Sequence, residues 1–453
     1  MIPDESEVDN VQLGRWNSER WWHRVIQVCR RWRYLVLDSA YHLRLSLVCA
    51  RGTPVANMLA HSPPFPIIID HFDNEYHDLT AEDEEGIILA LRHSDRVRHI
   101  RLMKPIPLLQ KLIIALDGEF PILEYLLIQH QPYHRPVIEH STNLNFPETF
   151  RAPHLHQLVV ENFATPIESP PLTTMGNLVT LLLGKIPSSA HFHPNDLIQQ
   201  LSLMPQLETL GIGFNSYNPS RDTERQLLRT PIMTQVTLPN LRQLGFRGTS
   251  AYLEALLPWV TIPLLEKLQV CFFNRMIYII PRLQQFMNAA GNFRIKTARF
   301  TFDEDCLNVV AYPHEEARLC TLDMELGGKN LDWQVASAAQ VFRALSTVFS
   351  AVERLTLEYT RRNMSPEWNN EADRTHWREL LGSFSQVKTL RVEHGLAKQV
   401  SRALQLSEGE SPTELLPELQ QLSYSRRDAV HDSTQFIDAR RKEGRPVTVI
   451  RFW

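Results

Sequence analysis

The sequence predicts an α/β repeat solenoid, in which parallel strands alternate with helical or loop return segments behind a short helical segment at the N-terminus. Three observations predict this fold. The chain has 453 residues, more than the ~250–300 at which one compact core stops growing. A short apolar phrase recurs through most of its length, and a helical apolar periodicity occupies its beginning.

The recurring phrase reads apolar-x-x-apolar-x-apolar and occurs twelve times from about residue 96 onward. A stricter form, P-x-L-x-x-L-x-apolar, is expected about 0.2 times by chance for this composition. It begins at Pro121, Pro153, Pro205, Pro239, Pro263 and Pro417. The middle apolar positions of successive phrases are 23 to 35 residues apart, which is the length of one strand with one return segment. The pattern therefore predicts an irregular leucine-rich-repeat solenoid, with the leucines in a shared core and the residues between them on the concave side.

Apolar residues from Glu19 to Leu37 recur at spacings of three and four, which predicts one amphipathic helix. Trp21, Trp22 and Trp32 lie in this segment. Each indole ring needs a large apolar surface, provided either by the rest of the chain or by another protein. Arg30, Arg31 and Arg33 are interpreted as the solvated face of this helix, with an acidic partner as the alternative.

The chain is divided into an F-box-like helical segment at 1–50, a linker and capping region at 51–95, and the solenoid at 96–453. Within the linker, Ile67–Ile69 predicts a short strand. Thr80 and Asp83 form a capping-box-like start for a helix.

Composition excludes several classes of function. A formal net charge of -4 provides no positive field for nucleic acid or an anionic membrane, so protein partners are expected. The five cysteines include no C-x-x-C pair, which argues against a disulfide framework and a zinc module. The acidic, polar N-terminus does not resemble a signal peptide, and no run of about 18 uncharged apolar residues occurs. We expect a cytoplasmic or nuclear protein.

No motif indicates a catalytic centre, a metal site or a cofactor, and we expect none of these. His191 and His193, with the scattered His130, His134 and His140, lack a cysteine or carboxylate at metal-ligand spacing and are interpreted as loop residues. The phrase Gly211-Ile212-Gly213-Phe214 lacks the third glycine of a dinucleotide fingerprint.

The stretch Val28-Cys29-Arg30-Arg31-Trp32-Arg33-Tyr34-Leu35-Val36, followed by Ala40-Tyr41-His42-Leu43-Arg44-Leu45, resembles the last helix and tail of an F-box. With Thr53-Pro54-Val55, Arg96-Val97 and the irregular repeats, the chain is similar to the F-box-like leucine-rich-repeat proteins abundant in mushroom-forming fungi. The L-P-x-E opening and first apolar helix of an F-box are not found upstream, so the F-box is expected to be truncated.

The resemblance implies a substrate-recognition subunit of an SCF-type cullin-RING ubiquitin ligase, which binds a Skp-type adaptor and leaves catalysis to partner subunits. The implied adaptor-binding residues are Trp22, Val25, Val28, Cys29, Trp32 and Leu35. The alternative is a free-standing repeat scaffold that does not bind the adaptor. In both cases an unknown protein client is expected on the charged repeat surface formed by Glu208, Arg242, Glu266, Lys267, Glu353, Arg354, Lys388 and Arg391.

Overall fold

The structure is a computed structural model. It describes residues 21–25, 27–39, 43, 45–72, 79–130, 144–174, 176–187, 190–215, 234–273, 278–290, 293–314, 316–317, 319–360, 373–393, 396–407, 409–425 and 434–452.

Eighteen strands lie in these residues. They are β1 (Leu47–Cys49), β2 (Ile67–His71), β3 (Val97–Lys104), β4 (Tyr125–His130), β5 (Gln157–Glu161), β6 (Thr180–Ile186), β7 (Thr209–Phe214), β8 (Val236–Thr237), β9 (Gln243–Gly248), β10 (Val260–Thr261), β11 (Lys267–Phe272), β12 (Thr297–Phe302), β13 (Cys306–Tyr312), β14 (Leu322–Gly327), β15 (Arg354–Tyr359), β16 (Thr389–Val392), β17 (Gln421–Ser425) and β18 (Thr448–Phe452).

Helices and one 3₁₀ turn, Leu257–Trp259, connect the strands. The helices are α1 (Trp21–Val25), α2 (Arg30–Asp38), α3 (Val55–His61), α4 (Ala81–Leu91), α5 (Ile106–Ile114), α6 (Pro170–Thr173), α7 (Pro194–Leu201), α8 (Ser250–Leu256), α9 (Pro281–Ala289), α10 (Leu331–Ala344), α11 (Ser346–Phe349), α12 (Arg374–Gly382), α13 (Ala397–Leu404) and α14 (Thr434–Lys442).

Sixteen of the described strands form one sheet in the order β1-β2-β3-β4-β5-β6-β7-β9-β11-β14-β13-β12-β15-β16-β17-β18, and β8 pairs with β10 separately. Equivalent leucines stand beside one another: Leu126 pairs with Leu158, and Leu158 with Leu181. These leucines are buried together with helix residues such as Leu197 and Leu253 in one core. The core therefore lies between the sheet and the helices, as expected for stacked repeats.

The predicted phrases all coincide with strands of this sheet. Their first apolar residue is at most 1% exposed in eleven of the twelve copies, but Leu319 is 78% exposed. At that copy, Leu319 lies three residues before β14 and is turned outward. The predicted α/β repeat solenoid is confirmed, and one phrase was placed correctly on its strand but wrongly at its first position.

The prediction of parallel strands throughout is wrong at β12–β14. Strand β13 is antiparallel to both β12 and β14, so the chain crosses from β11 to β12 and then returns toward β11. These three strands form a meander that reverses their order in the sheet. Buried Gln334 on α10 links the β12–β13 turn to the end of β14, because its amide donates to Asp303 O at 2.6 Å and Gly328 O at 2.7 Å.

The sheet begins earlier than the sequence boundary at residue 96. Strand β1 pairs with β2, and β2 pairs with β3, all in parallel. Strand β2 confirms the strand predicted at Ile67–Ile69, and α4 begins at the predicted cap, where Thr80 Oγ1 accepts from Asp83 N at 3.1 Å. The region 51–95 thus contributes a strand and two helices to the solenoid.

The single helix predicted over Glu19–Leu37 is interrupted. Helix α1 ends at Val25 and α2 begins at Arg30, after Cys29 adopts an extended conformation with φ -160° and ψ 168°. The Cys29 Sγ atom accepts from Trp32 N at 3.5 Å, which caps α2. The interruption lets the two short helices direct their apolar residues to different surfaces.

Candidate interaction surfaces

Helix α2 carries apolar side chains that do not contribute to the core. Trp32 is 52% exposed and Leu35 is 54% exposed, and Val28, just before the helix, is 69% exposed. Trp32 and Leu35 are three residues apart on α2 and so lie on the same side of the helix, and Val28 is exposed in the turn just before the N-cap. We call Val28, Trp32 and Leu35 the α2 apolar face.

Two of the other predicted adaptor residues lie against the core of the chain. Trp22 is 2% exposed, and its ring meets Phe65 edge-on with 5.5 Å between ring centroids. Val25 is partly buried against the same core, whereas Cys29 is exposed. The predicted set therefore divides into Trp22 and Val25, which close the end of the solenoid, and an outer group around α2.

The other segments used for the F-box resemblance have structural roles. Arg96 holds the loop that precedes β2, because its guanidinium donates to Phe65 O at 3.1 Å and Pro63 O at 3.2 Å. Val55 is buried against Gly86 of α4, where an added Cβ would lie 2.9 Å from the valine side chain. The arginines of α2, Arg30, Arg31 and Arg33, are exposed, in agreement with a solvated face. Tyr41 and His42 lie outside the described residues.

The second surface is the side of the sheet opposite the helices, which we call the open face. Side chains of a strand alternate between its two sides, so the residues between the buried leucines point to this face. Its beginning is covered. Arg101 is 1% exposed beneath the Phe72 ring, whose centroid is 4.9 Å from the guanidinium carbon, and Leu127 is 7% exposed.

The eight predicted client residues occupy two positions. Lys267, Arg354 and Arg391 lie in strands and point to the open face. The other five lie immediately before strands at one edge of the sheet: Glu208, Arg242, Glu266, Glu353 and Lys388. Their backbone groups extend the hydrogen bonding between neighbouring strands; for example, Glu266 N donates to Arg242 O at 2.8 Å.

Charges at this edge are paired between neighbouring repeats. Arg242 forms an ion pair with Glu266, and Glu353 lies between Lys296 and Lys388. Hydrogen bonds from Lys296 and then Lys388 lower the pKa of the exposed Glu353 carboxyl to about 2. Of the edge residues that were predicted to bind a client, Arg242, Glu266, Glu353 and Lys388 are thus engaged in ion pairs with neighbouring repeats.

Residues that could suggest chemistry have local structural explanations. His193 caps α7, accepting from Asn195 N at 3.1 Å, and the His191 ring packs 4.6 Å from the Phe214 ring. Gly211 lies within β7, and an added Cβ would meet the Leu182 side chain at 2.6 Å. His134 and His140 lie outside the described residues.

The described residues hold neither a metal-binding cluster nor a membrane-spanning helix. Among them, no group of three or more histidine, cysteine, aspartate and glutamate side chains is arranged to hold a metal ion. Of the helices in the described part of the chain, none combines the length and apolarity needed to span a membrane.

The strand register and the stacked leucines define the class of this protein: an α/β repeat solenoid of the leucine-rich-repeat type. Neither a protein-family model nor a curated protein matches the chain. Among solved structures, the chain is similar to the crystal structure of the leucine-rich repeat-containing protein LegL7 from Legionella pneumophila. The two sequences are 12% identical, the match covers 65% of this chain and 92% of that chain, and the TM-score is 0.21.

Proposed function

We propose that this protein is a non-catalytic interaction receptor of the cytoplasm or nucleus. The α2 apolar face binds a Skp-type adaptor and the open face holds a protein client, so the chain acts as a substrate-recognition subunit of an SCF-type cullin-RING ubiquitin ligase. Chemistry on the client then belongs to partner subunits, and this chain positions it.

The observation that carries the proposal is the exposure of the α2 apolar face. A tryptophan and a leucine side by side on one helix are a typical anchor for a partner's apolar groove, because tryptophan is among the residues that contribute most to binding energy. Trp32 and Leu35 are each more than half exposed, while Trp22 on the preceding helix is buried. The two helices thus separate a folding role from a binding role.

A second candidate function is a free-standing scaffold that binds a client but no adaptor. It is favoured by the burial of Trp22 and the partial burial of Val25, which leave a smaller free face than the sequence implied. Adaptor binding distinguishes the two functions.

The test is a pull-down of the purified full chain with a Skp-type adaptor. We expect Trp32→Ala combined with Leu35→Ala to abolish capture without affecting the fold, because both side chains are exposed. The control is Trp333→Ala on α10, since Trp333 is a tryptophan of similar exposure, 43%, on a distant helix. A folded wild-type chain that does not bind the adaptor would leave the scaffold as the function.

A further inference from the structure

Strands β12, β15 and β16 present alternating threonine and arginine side chains on the open face. In one row Thr297 pairs with Arg354, and Arg354 with Thr389. In the next row Arg299 pairs with Thr356, and Thr356 with Arg391. Arg354 therefore has a threonine neighbour on each side, and Arg299 and Arg391 share Thr356 between them. We call these six residues the Arg–Thr grid.

The grid is the accessible, cationic part of the open face. Arg299 and Arg391 are exposed, whereas the equivalent position at the beginning of the sheet, Arg101, is 1% exposed. Thr356, which lies between the two arginines, is only 7% exposed. A threonine hydroxyl flanked by two guanidinium groups is an arrangement that can bind an anionic group approaching from the solvent side of the sheet.

Three carboxylates lie around the grid, and one of them pairs with a grid arginine. Glu353 lies at the edge of the sheet between two lysines, and Glu358 accepts from Thr301 Oγ1 at 2.6 Å. Glu393, at the far end of β16, pairs with Arg391. With Lys296 and Lys388 at the edge, five cations and these three carboxylates occupy this window of three strands, so its charge is positive although the whole chain is at -4.

The adjoining strand on the other side of the meander has the opposite charge. Asp323 and Glu325 of β14 point to the open face, where Asp323 accepts from Gln269 at 3.4 Å. Burial raises the pKa of the Asp323 carboxyl. The meander thus places an acidic strand beside β13 and a basic window from β12 onward, which defines where an anionic segment can lie.

Spacing in the grid fits an extended peptide. Neighbouring strands are about 4.8 Å apart, so the Cα atoms of Arg299 and Arg391, two strands apart in one row, are about 10 Å apart. An extended segment in the polyproline II conformation advances about 3.1 Å per residue with three residues per turn, so its residues three apart lie on one side and span about 9 Å. Guanidinium groups bind carboxylates through paired hydrogen bonds, and Arg354 lies between the two in the adjacent row.

We propose that the Arg–Thr grid binds an extended acidic segment of the client, with carboxylates three residues apart on Arg299 and Arg391 and a further anionic group on Arg354. The segment crosses the strands over β12, β15 and β16 and ends short of the acidic strand β14. This inference rests on the proposed function, because it assigns the client's chemistry to the surface proposed to hold it.

The experiment measures fluorescence anisotropy of a labelled short peptide with glutamate at every third position, titrated with the full chain at low salt. The reference peptide carries glutamine in place of glutamate. We expect binding of the glutamate peptide only, weakening as salt is raised because the contact is between exposed charges. Equal binding of the two peptides would overturn the proposal.

The variant for this test is Arg299→Gln with Arg391→Gln, and we expect about tenfold weaker peptide binding. The matched control, Arg92→Gln with Arg441→Gln, removes the same charge from exposed arginines outside the grid. Unchanged affinity in the grid variant, or equal loss in the control, contradicts the assignment.

The two proposals fail separately. Loss of the α2 apolar face is expected to leave peptide affinity unchanged, and the grid variant is expected to retain adaptor capture. Adaptor capture without peptide binding by wild type overturns the grid alone, whereas peptide binding without adaptor capture overturns the ligase role alone.

Discussion

His71 is a buried titratable residue of the N-terminal repeats. It ends β2 beside Leu102, points into the core and is 4% exposed. Burial, followed by the nearby Lys104 charge, lowers the pKa of the imidazole to about 4, against a smaller opposite effect of Asp83. The folded chain therefore keeps this ring neutral at a pH where an unfolded chain would protonate it.

Because of His71, the stability of the folded chain should decrease as the pH is lowered. Between its ordinary value of 6.5 and about 4, the unfolded chain binds a proton that the folded chain does not. The free energy of unfolding therefore decreases as the pH is lowered through this window, by about 3 kcal/mol in all. Urea denaturation near pH 7 and near pH 4.5 measures the loss, which we expect to be smaller in His71→Gln. An equal loss in both proteins would contradict the assignment to His71.

Arg440 shows what a sequence cannot reveal at the residue scale. It is 1% exposed on α14 and donates to the carbonyl oxygens of Leu416 at 3.1 Å, Pro417 at 3.0 Å and Leu419 at 2.9 Å. Its neighbour Arg441 is exposed. Both belong to one basic run at the end of a helix, so only the position of the preceding loop distinguishes the structural arginine from the solvated one.

Replacing this arginine should be costly because its planar group satisfies several carbonyls at once. We expect Arg440→Lys to lower the free energy of unfolding by about 2–4 kcal/mol, since one ammonium cannot replace the fork of donors. Arg441→Lys, one residue further on, should change it by less than about 0.5 kcal/mol. Thermal unfolding of both variants checks this, and similar midpoints would show that Arg440 does not fasten the loop.

At the scale of elements, the N-terminal helices separate a buried tryptophan from an exposed one. We expect Trp22→Ala to lower the free energy of unfolding by about 3–5 kcal/mol, because it empties a buried site beside Phe65. Trp32→Ala should cost less than about 1 kcal/mol, since its ring is 52% exposed. Equal effects in urea denaturation would contradict the separation.

The sequence predicted a helix here but not its interruption at Cys29. The apolar spacing is compatible with one continuous helix, so it cannot show that Trp22 and Trp32 lie on different surfaces.

The meander of β12–β14 could not be predicted for a similar reason. Strand β13 alternates as a strand should, but β12 pairs with β15, and residue Thr297 meets Arg354 far along the chain. Pairing between distant segments is set by the whole sheet and leaves no local signal.

For the whole molecule, the recurring leucine phrase was sufficient to predict the solenoid, because one repeat cannot bury its core without its neighbours. The same phrase located Lys267, Arg354 and Arg391 on the open face. It did not identify Arg299, which becomes part of the grid only through the reversed order of β12–β14. The candidate surface was therefore predicted in part, and its basic centre required the register.

The two proposed binding surfaces lie at different places along one solenoid. The α2 apolar face precedes the first strand, whereas the Arg–Thr grid lies on β12, β15 and β16. Two such sites on a stack of repeats can be occupied together, since each repeat contacts mainly its neighbours.

The most direct measurement of this central claim is sedimentation velocity of the full chain mixed with a Skp-type adaptor and the labelled glutamate peptide. We expect the label to sediment with a complex that contains both proteins. With Trp32→Ala and Leu35→Ala, we expect the label to remain on the chain alone. With Arg299→Gln and Arg391→Gln, we expect an unlabelled complex of chain and adaptor. Displacement of the peptide by the adaptor, or failure of the folded chain to bind either partner, would contradict this claim.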